Sequence, residues 1–344
     1  GSSSGNFSQY PGFSEWYAAN PPSQDLPSKT DQRLLARYQP RLFVARKSGQ
    51  PIRFYEDYIA HGALRAADGT LISGQVDQAI LNRYADDPAV VFTHQADANG
   101  QLKTSAADVI ARIDHDTLPA SDDFAARQLI FLTYHYVFAY SGVAAGIRPW
   151  QRFFIDVFAS TTDWHQLDHY TAVSVVLDES TQQPLALMLQ QHNYLRTWIL
   201  SPQPGPGLTQ LPSDDRVHVV AAQDSNELFL RRDNASFRRA VPMLTPDNVR
   251  WLVMGQNRPW VTADDVTEAD EEVSATLRFL PRSDAFFTFK GWLGERRLTP
   301  GRDGPPGADF NTLPGLKPRA RQLALFWWYD GDLDYVDLIE SRED

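Results

Sequence analysis

At 344 residues, with 42% hydrophobic and 12% aromatic side chains, the chain carries enough apolar material to bury a core, so disorder is not the default. A net charge of −11 and a pI near 5.2 exclude the basic footprint that nucleic acid requires, and no stretch approaches the ~18 apolar residues of a spanning helix. There are no cysteines, so disulfides, thiolate metal sites and a cysteine nucleophile are excluded as well.

Residues 1–28 begin Gly1-Ser2-Ser3-Ser4-Gly5 and continue polar and Pro-rich. Such a start is like that of a bacterial lipoprotein just behind its lipidated cysteine. On that reading 1–28 are a flexible tether, the protein sits on the periplasmic side of the bacterial cell envelope, and it meets the membrane only through an N-terminal lipid anchor. A cloning scar followed by a floppy tail is the alternative. Residues 31–38 predict a helix capped by Ser28 or Thr30. Short strands are expected at 40–45, 51–55 and 89–93, and a short amphipathic helix at 104–113, where apolar residues fall at 106, 109, 110 and 113.

Residues 129–140 form a long apolar and aromatic run whose β-branched content favours a buried strand. Strands at 170–178 and 184–191, joined by the polar turn 178–183, make a hairpin, with a third strand at 194–200. The Gly- and Pro-rich 201–212 read as loop and 216–222 as strand. Pro246 sits at the first position of a helix expected over 245–252. The acidic 262–272 read as a solvated helix start or loop, 291–317 as irregular and 321–329 as an aromatic strand. No internal repeat and no domain boundary are visible. The expected architecture is therefore mainly β: one β-sandwich domain over 29–344 with several short helices and long loops.

Chemistry concentrates at Asp163-Trp164-His165-Gln166-Leu167-Asp168-His169-Tyr170, directly ahead of the strand at 170–178. Imidazole with carboxylate suits Zn²⁺, Mn²⁺ or Fe²⁺, and carboxylate-rich sets suit Ca²⁺ or Mg²⁺. A His/Asp pair equally serves as base and orienter, and a polar strand entry bonded to nearby backbone is the bland reading. In an extended strand 165, 167 and 169 point one way and 168 and 170 the other, so convergence requires a bend. His192, at the end of the partner strand, lies within reach across the hairpin. His135 and His218 read as structural. Asp330-Gly331-Asp332-Leu333-Asp334 starts like a calcium loop, but Tyr335 and Ser341 stand where glycine and glutamate belong, so a charged turn is expected. No nucleophile elbow, phosphate-binding glycine loop, dinucleotide fingerprint or His-Glu-x-x-His is present, so neither a nucleotide nor an organic cofactor is expected.

The order of several short motifs resembles the vacuolar protein sorting 62-like family. Tyr38-Gln39-Pro40-Arg41-Leu42 and Gln50-Pro51-Ile52-Arg53-Phe54-Tyr55-Glu56-Asp57-Tyr58 stand where that family opens, and the aromatic 133–140 where its aromatic strand follows. His165, Asp168, His169 and Tyr170 occupy the place of its His-x-Gly-Asp-Trp-Glu signature. The segment from Arg216 to Asn226 stands for its later His-Val strand, and Lys290-Gly291-Trp292-Leu293-Gly294 with Gly304-Pro305-Pro306-Gly307 for its close. The resemblance spans roughly residues 38–310. It implies a distant relation to the necrosis-inducing-like cytolysins, with a β-sandwich and a divalent-metal site serving glycolipid binding, and would put ligands at His165 and Asp168. Leu167, His169, Tyr170 and Asn226 depart from the pattern at positions that matter for such a site.

These readings join in one expectation. A glycan or lipid headgroup is bound or hydrolysed at a divalent ion (Ca, Mg, Zn or Mn) held by His165, Asp168, His169 and His192. Asp163 or Glu227 acts as base on a metal-activated water, and Trp164, Tyr170 and Tyr194 contact the substrate. The rival is a non-catalytic periplasmic interaction or immunity lipoprotein that meets a basic protein partner.

Overall fold

Ser28 opens the first helix by capping it: its Oγ accepts the Asp31 N–H at 3.1 Å, and α1 (Lys29–Arg37) follows with Leu34 and Leu35 buried. The structure is a computed structural model that describes residues 25–94, 106–118, 125–146, 149–158, 163–164, 166–191, 194–200, 208–231, 265–297, 303–310 and 333–334, with isolated positions 19 and 120. After β1 (Arg41–Val44) the strand expected at 51–55 does not form. Only Pro51 bridges to Phe138, and Phe54–Tyr58 wind into one π-helical turn. Asp57 is the cause. Its carboxylate accepts both the backbone N–H and the guanidinium of Arg53, each at 3.0 Å, which folds the chain back on itself and buries Phe54, Tyr55 and Tyr58 together.

Next come β2 (Gly62–Arg65), β3 (Leu71–Ser73), α2 (Gln78–Arg83) and β4 (Val91–His94). The expected helix at 104–113 is, from Ala107 on, part of β5 (Ala107–Leu118), a strand paired residue by residue with β6 (Arg127–Val137). The apolar spacing misleads because both faces of β5 are covered: Val109 and Ala111 enter one core and Ile110 the other, which erases the alternation that marks a half-buried strand.

The chain continues through α3 (Pro149–Phe158), β7 (Tyr170–Asp178), β8 (Pro184–Gln191), β9 (Tyr194–Leu200), β10 (Leu208–Thr209), β11 (His218–Ala221) and β12 (Leu228–Leu230). Then follow β13 (Glu271–Glu272), β14 (Ala275–Phe279), α4 (Ala285–Thr288), β15 (Trp292–Leu293) and β16 (Leu333–Asp334). The helix expected at 245–252, the strand expected at 321–329 and positions 330–332 of the calcium-like turn lie outside the described residues. Leu333 and Asp334 of that turn pair with β9.

Among the described residues three sheets result. The central one runs β10-β9-β8-β7-β6-β5-β14, a second runs β12-β11-β1-β13 and a third β15-β4-β2-β3. Val173, Val175 and Leu177 of β7, with Leu132, Tyr134 and Tyr136 of β6, pack against α1, β1, β11 and β12. On the opposite face Ile110, Val137 and Tyr170 pack against the π-helical turn, the third sheet and α4. The architecture is mainly β, a sandwich with a third sheet added at one end. β7 is buried along its whole length, which explains why it and β6 read as continuous apolar runs.

Candidate functional site

Residues 163–164 and the 3₁₀ turn Gln166–His169 precede β7 and do not continue the strand backward. Both pieces are tied down. Trp164 N–H donates to the Ser141 carbonyl at 2.7 Å. The Gln166 amide pairs with Glu295 as a strand neighbour would, accepting its N–H at 2.7 Å and donating to its carbonyl at 3.1 Å. Gly294 makes this approach feasible: its φ is +153°, and a Cβ there would lie 2.3 Å from Gln166 Oε1. Asn226, from the turn between β11 and β12, donates to the carbonyls of Tyr140 at 2.6 Å and Asp168 at 3.4 Å. The end of β6, the entry to β7 and the β11–β12 turn thus form one loop cluster.

At its centre His169 bridges two partners. Nε2 lies 2.8 Å from Asp163 Oδ1 and Nδ1 lies 3.0 Å from the Tyr58 hydroxyl. That hydroxyl also stands 2.7 Å from the Leu293 carbonyl oxygen. A carbonyl only accepts, so the single phenolic proton points at Leu293, and Tyr58 must accept from Nδ1–H. Asp163 Oδ1 already accepts the Ser141 N–H at 3.1 Å, and a bare nitrogen at 2.8 Å from a carboxylate oxygen would repel it, so Nε2 carries a proton too. Donor counting therefore makes His169 an imidazolium paired with the Asp163 carboxylate, with only 2% of the His169 side chain and 16% of the Asp163 side chain exposed. Both nitrogens act as donors, and neither has a lone pair left for an ion or for general-base work. The other Asp163 oxygen takes no hydrogen bond among the described residues.

Around this pair, His94 stacks on Tyr58 with ring centroids 4.7 Å apart, and Tyr140 meets His94 edge-on at 6.2 Å. Burial, and then the positive charge of His169, push His94 down to about 4, so it is neutral at physiological pH. Asp163 pushes the Tyr58 hydroxyl upward beyond the effect of burial alone, which keeps it protonated. The second acid of the cluster is Asp224. It shares the Ser141–Gly142 turn with Asp163: its carbonyl accepts Gly142 N–H at 2.6 Å while Asp163 accepts Ser141 N–H. Its carboxyl takes no hydrogen bond among the described residues, and burial raises it above the ordinary carboxylate range against the opposing pull of Arg152 on α3. Asp224 and Asn226 hold φ of +69° and +63°, an uncommon pair of left-handed residues at one turn.

The sequence-expected residues fare unevenly. Asp163 and Trp164 stand at the partly exposed rim. His169 is corrected from metal ligand to ion-pair donor. Tyr170 is corrected as well: at 1% exposure its ring is packed among Phe54, Tyr58 and Phe286 and offers no face to a sugar. Asp168 is buried beneath the turn, and Glu227 is buried behind it, its backbone carbonyl closing the hairpin by accepting Ala222 N–H. Tyr194 opens β9 opposite Gln191, and its side chain is outside what the structure describes. His165 and His192 lie outside the described residues. Among the described residues no three His, Asp or Glu side chains come together in a way that could hold a metal. Tyr58, Ser141 and Asp224 are site residues that sequence reasoning misses. Only Asp224 carries a local signal, as the head of the turn-forming Asp224-Ser225-Asn226.

No protein-family model matches the chain, and no curated protein matches it. Two solved structures do. One is described as "Toxin fold as basis for microbial attack and plant defense", with 12% identity over 74% of this chain and 77% of that one and a TM-score of 0.31. The other is Necrosis and Ethylene inducing Protein 2 from the causal agent of cocoa's Witches Broom disease, with 15% identity over 69% of this chain and 93% of that one and a TM-score of 0.26. This is weak structural similarity and carries no argument about function. The resemblance to the vacuolar protein sorting 62-like family rests on its motifs alone.

Proposed function

We propose that the loop cluster around Asp163, Trp164 and Asp224 binds a hydroxyl-rich glycan or lipid headgroup without hydrolysing it. The observation that supports this reading is the paired state of Asp163. One oxygen is fixed by His169 and Ser141, and the other is left as a rigid acceptor at a partly exposed rim. Acceptor-only oxygens suit sugar hydroxyls, which are donors, and the neighbouring Trp164 indole suits the C–H face of a sugar ring. Asp224 adds a second carboxyl on the far side of the Ser141–Gly142 turn. A hydrolytic version would need a base or an activated water, and His169 is committed as a donor. Placement at the cell envelope accords with such a ligand and belongs to the same proposal.

The test is a glycan array together with an overlay of lipid headgroups, run with and without added divalent ions, on wild type and on Asp224→Asn. Binding to a sugar-bearing probe that is weakened tenfold or more by Asp224→Asn, with the fold intact, supports the reading. Binding that appears only with a divalent ion would restore the metal site in place of this one. No binding to any probe favours a protein partner instead. One observation speaks for that rival: Trp150, Phe153 and Val157, spaced along one face of α3, remain exposed.

A further inference from the structure

Behind the candidate site two segments lie backbone against backbone. One is 293–295, and the other is a strap, 303–310, buried from Gly304 to Phe310. Leu293 N–H donates to the Pro305 carbonyl at 2.8 Å, and Gly304 N–H returns to the Glu295 carbonyl at 3.0 Å. The Asp303 carboxylate accepts the Arg297 N–H just beyond. Glycine at both contact points permits this. A Cβ on Gly304 would lie 2.5 Å from Gly294 Cα and 2.7 Å from the Leu293 carbonyl carbon, and a Cβ on Gly294 would strike Gln166 and lie 2.9 Å from Gly304 Cα. Gln166, Gly294 and Gly304 therefore stack with no room for a methyl group between them. The far end of the strap is anchored elsewhere. Gly307 N–H donates to the Phe289 carbonyl at 2.7 Å, and Asp309 Oδ1 accepts from Arg112 at 2.7 Å and Arg282 at 2.6 Å.

We propose that Gly304 is a positioning residue for the candidate site: the near end of the strap and 293–295 form one unit that holds Tyr58 and Gln166, and through them the His169–Asp163 pair. Both holds start from 293–295. The Leu293 carbonyl takes the Tyr58 hydroxyl proton at 2.7 Å, and that oxygen faces His169 Nδ1 at 3.0 Å, with Asp163 at 2.8 Å from Nε2. The Glu295 backbone pairs with Gln166, which opens the turn that carries His169. Every link is a hydrogen bond or a glycine contact, so the coupling runs through a contiguous physical chain. Displacing the strap at Gly304 moves the Leu293 carbonyl and the Glu295 backbone together, and the Asp163 acceptor loses its fixed orientation. The functional meaning of this control rests on the reading of Asp163 as a binding acceptor. The coupling itself is read without any ligand, so its failure and a failed glycan test are separate results.

Two alanine variants of the full chain test the proposal. Gly304→Ala and Gly307→Ala both strain the strap, but a Cβ on Gly307 would meet the Phe287 carbonyl oxygen at 2.5 Å and not Gly294. Proton–nitrogen NMR of the His169 ring should show shifted ring N–H signals in Gly304→Ala and wild-type signals in Gly307→Ala. The same shift in both variants, or a shift in neither, overturns the proposal. Hydrogen exchange decides the matter if either alanine variant does not fold. Gln166→Ala should then speed exchange at the Glu295 and Gly304 N–H groups by a shared factor of about ten, and leave Gly307 N–H within about twofold of wild type. An unchanged Gly304 N–H, or a Gly307 N–H that speeds up equally, overturns it.

Discussion

Replacing Asp163 with asparagine tests the buried pair through stability. The asparagine side chain still offers an oxygen to the Ser141 N–H, so that 3.1 Å bond survives, and the volume is kept. What disappears is the negative charge 2.8 Å from a nearly inaccessible imidazolium. Removing one partner of a fully buried pair costs about 3–5 kcal/mol. Asp163 keeps some contact with water, and His169 Nε2–H can still donate to the asparagine oxygen that holds Ser141, so a loss of roughly 2–3 kcal/mol is expected, in the range of a charged hydrogen bond. Urea unfolding of wild type and Asp163→Asn at neutral pH measures it. The slope should be unchanged, because the surface exposed on unfolding is the same, and only the midpoint should fall. A stability within about 0.5 kcal/mol of wild type, the size of an ordinary surface substitution, would refute the reasoning.

Other consequences follow from the same geometry. His94 is depressed from 6.5 to about 4, first by burial and then by the charge on His169. Its folded state binds fewer protons than its unfolded state, so its contribution is present above pH 6.5 and is lost as pH falls from 6.5 towards 4, by roughly 3 kcal/mol at most. Denaturation at neutral and acid pH in wild type and His94→Gln should show the variant losing less on acidification. Gln166→Ala removes both bonds to the Glu295 backbone and should cost about 1–3 kcal/mol, with faster amide exchange at Glu295. Asp309→Ala strips the buried Arg112 of a 2.7 Å partner and should cost about 3–5 kcal/mol by urea unfolding.

Much of the framework is legible in the sequence because its signals are local. Ser28 caps α1 as its side chain predicts, and the polar turn at 178–183 joins β7 to β8 where expected. Reading fails where tertiary burial overrides local pattern. β5 is covered on both faces and so loses its alternation, while Pro51–Tyr55 has strand composition but a carboxylate at Asp57 that captures the preceding backbone. The site shows the same division. The cluster of acids and histidines is visible in the sequence, but their roles are not, because these are set by distant residues. Tyr58 and Leu293 decide the protonation of His169, and they lie 111 and 124 positions away from it in the chain. Glu227 is expected as one of two candidate bases, whereas the turn geometry buries it and leaves Asp224 partly exposed.

Nitrogen-15 NMR of the His169 ring at neutral pH, assigned with a His169→Gln control, most directly tests whether this histidine is a locked donor rather than a ligand or base. Protons on both ring nitrogens, with shifts unmoved by added zinc or calcium, are the predicted result. A singly protonated ring, or a nitrogen that shifts when metal is added, would contradict the account.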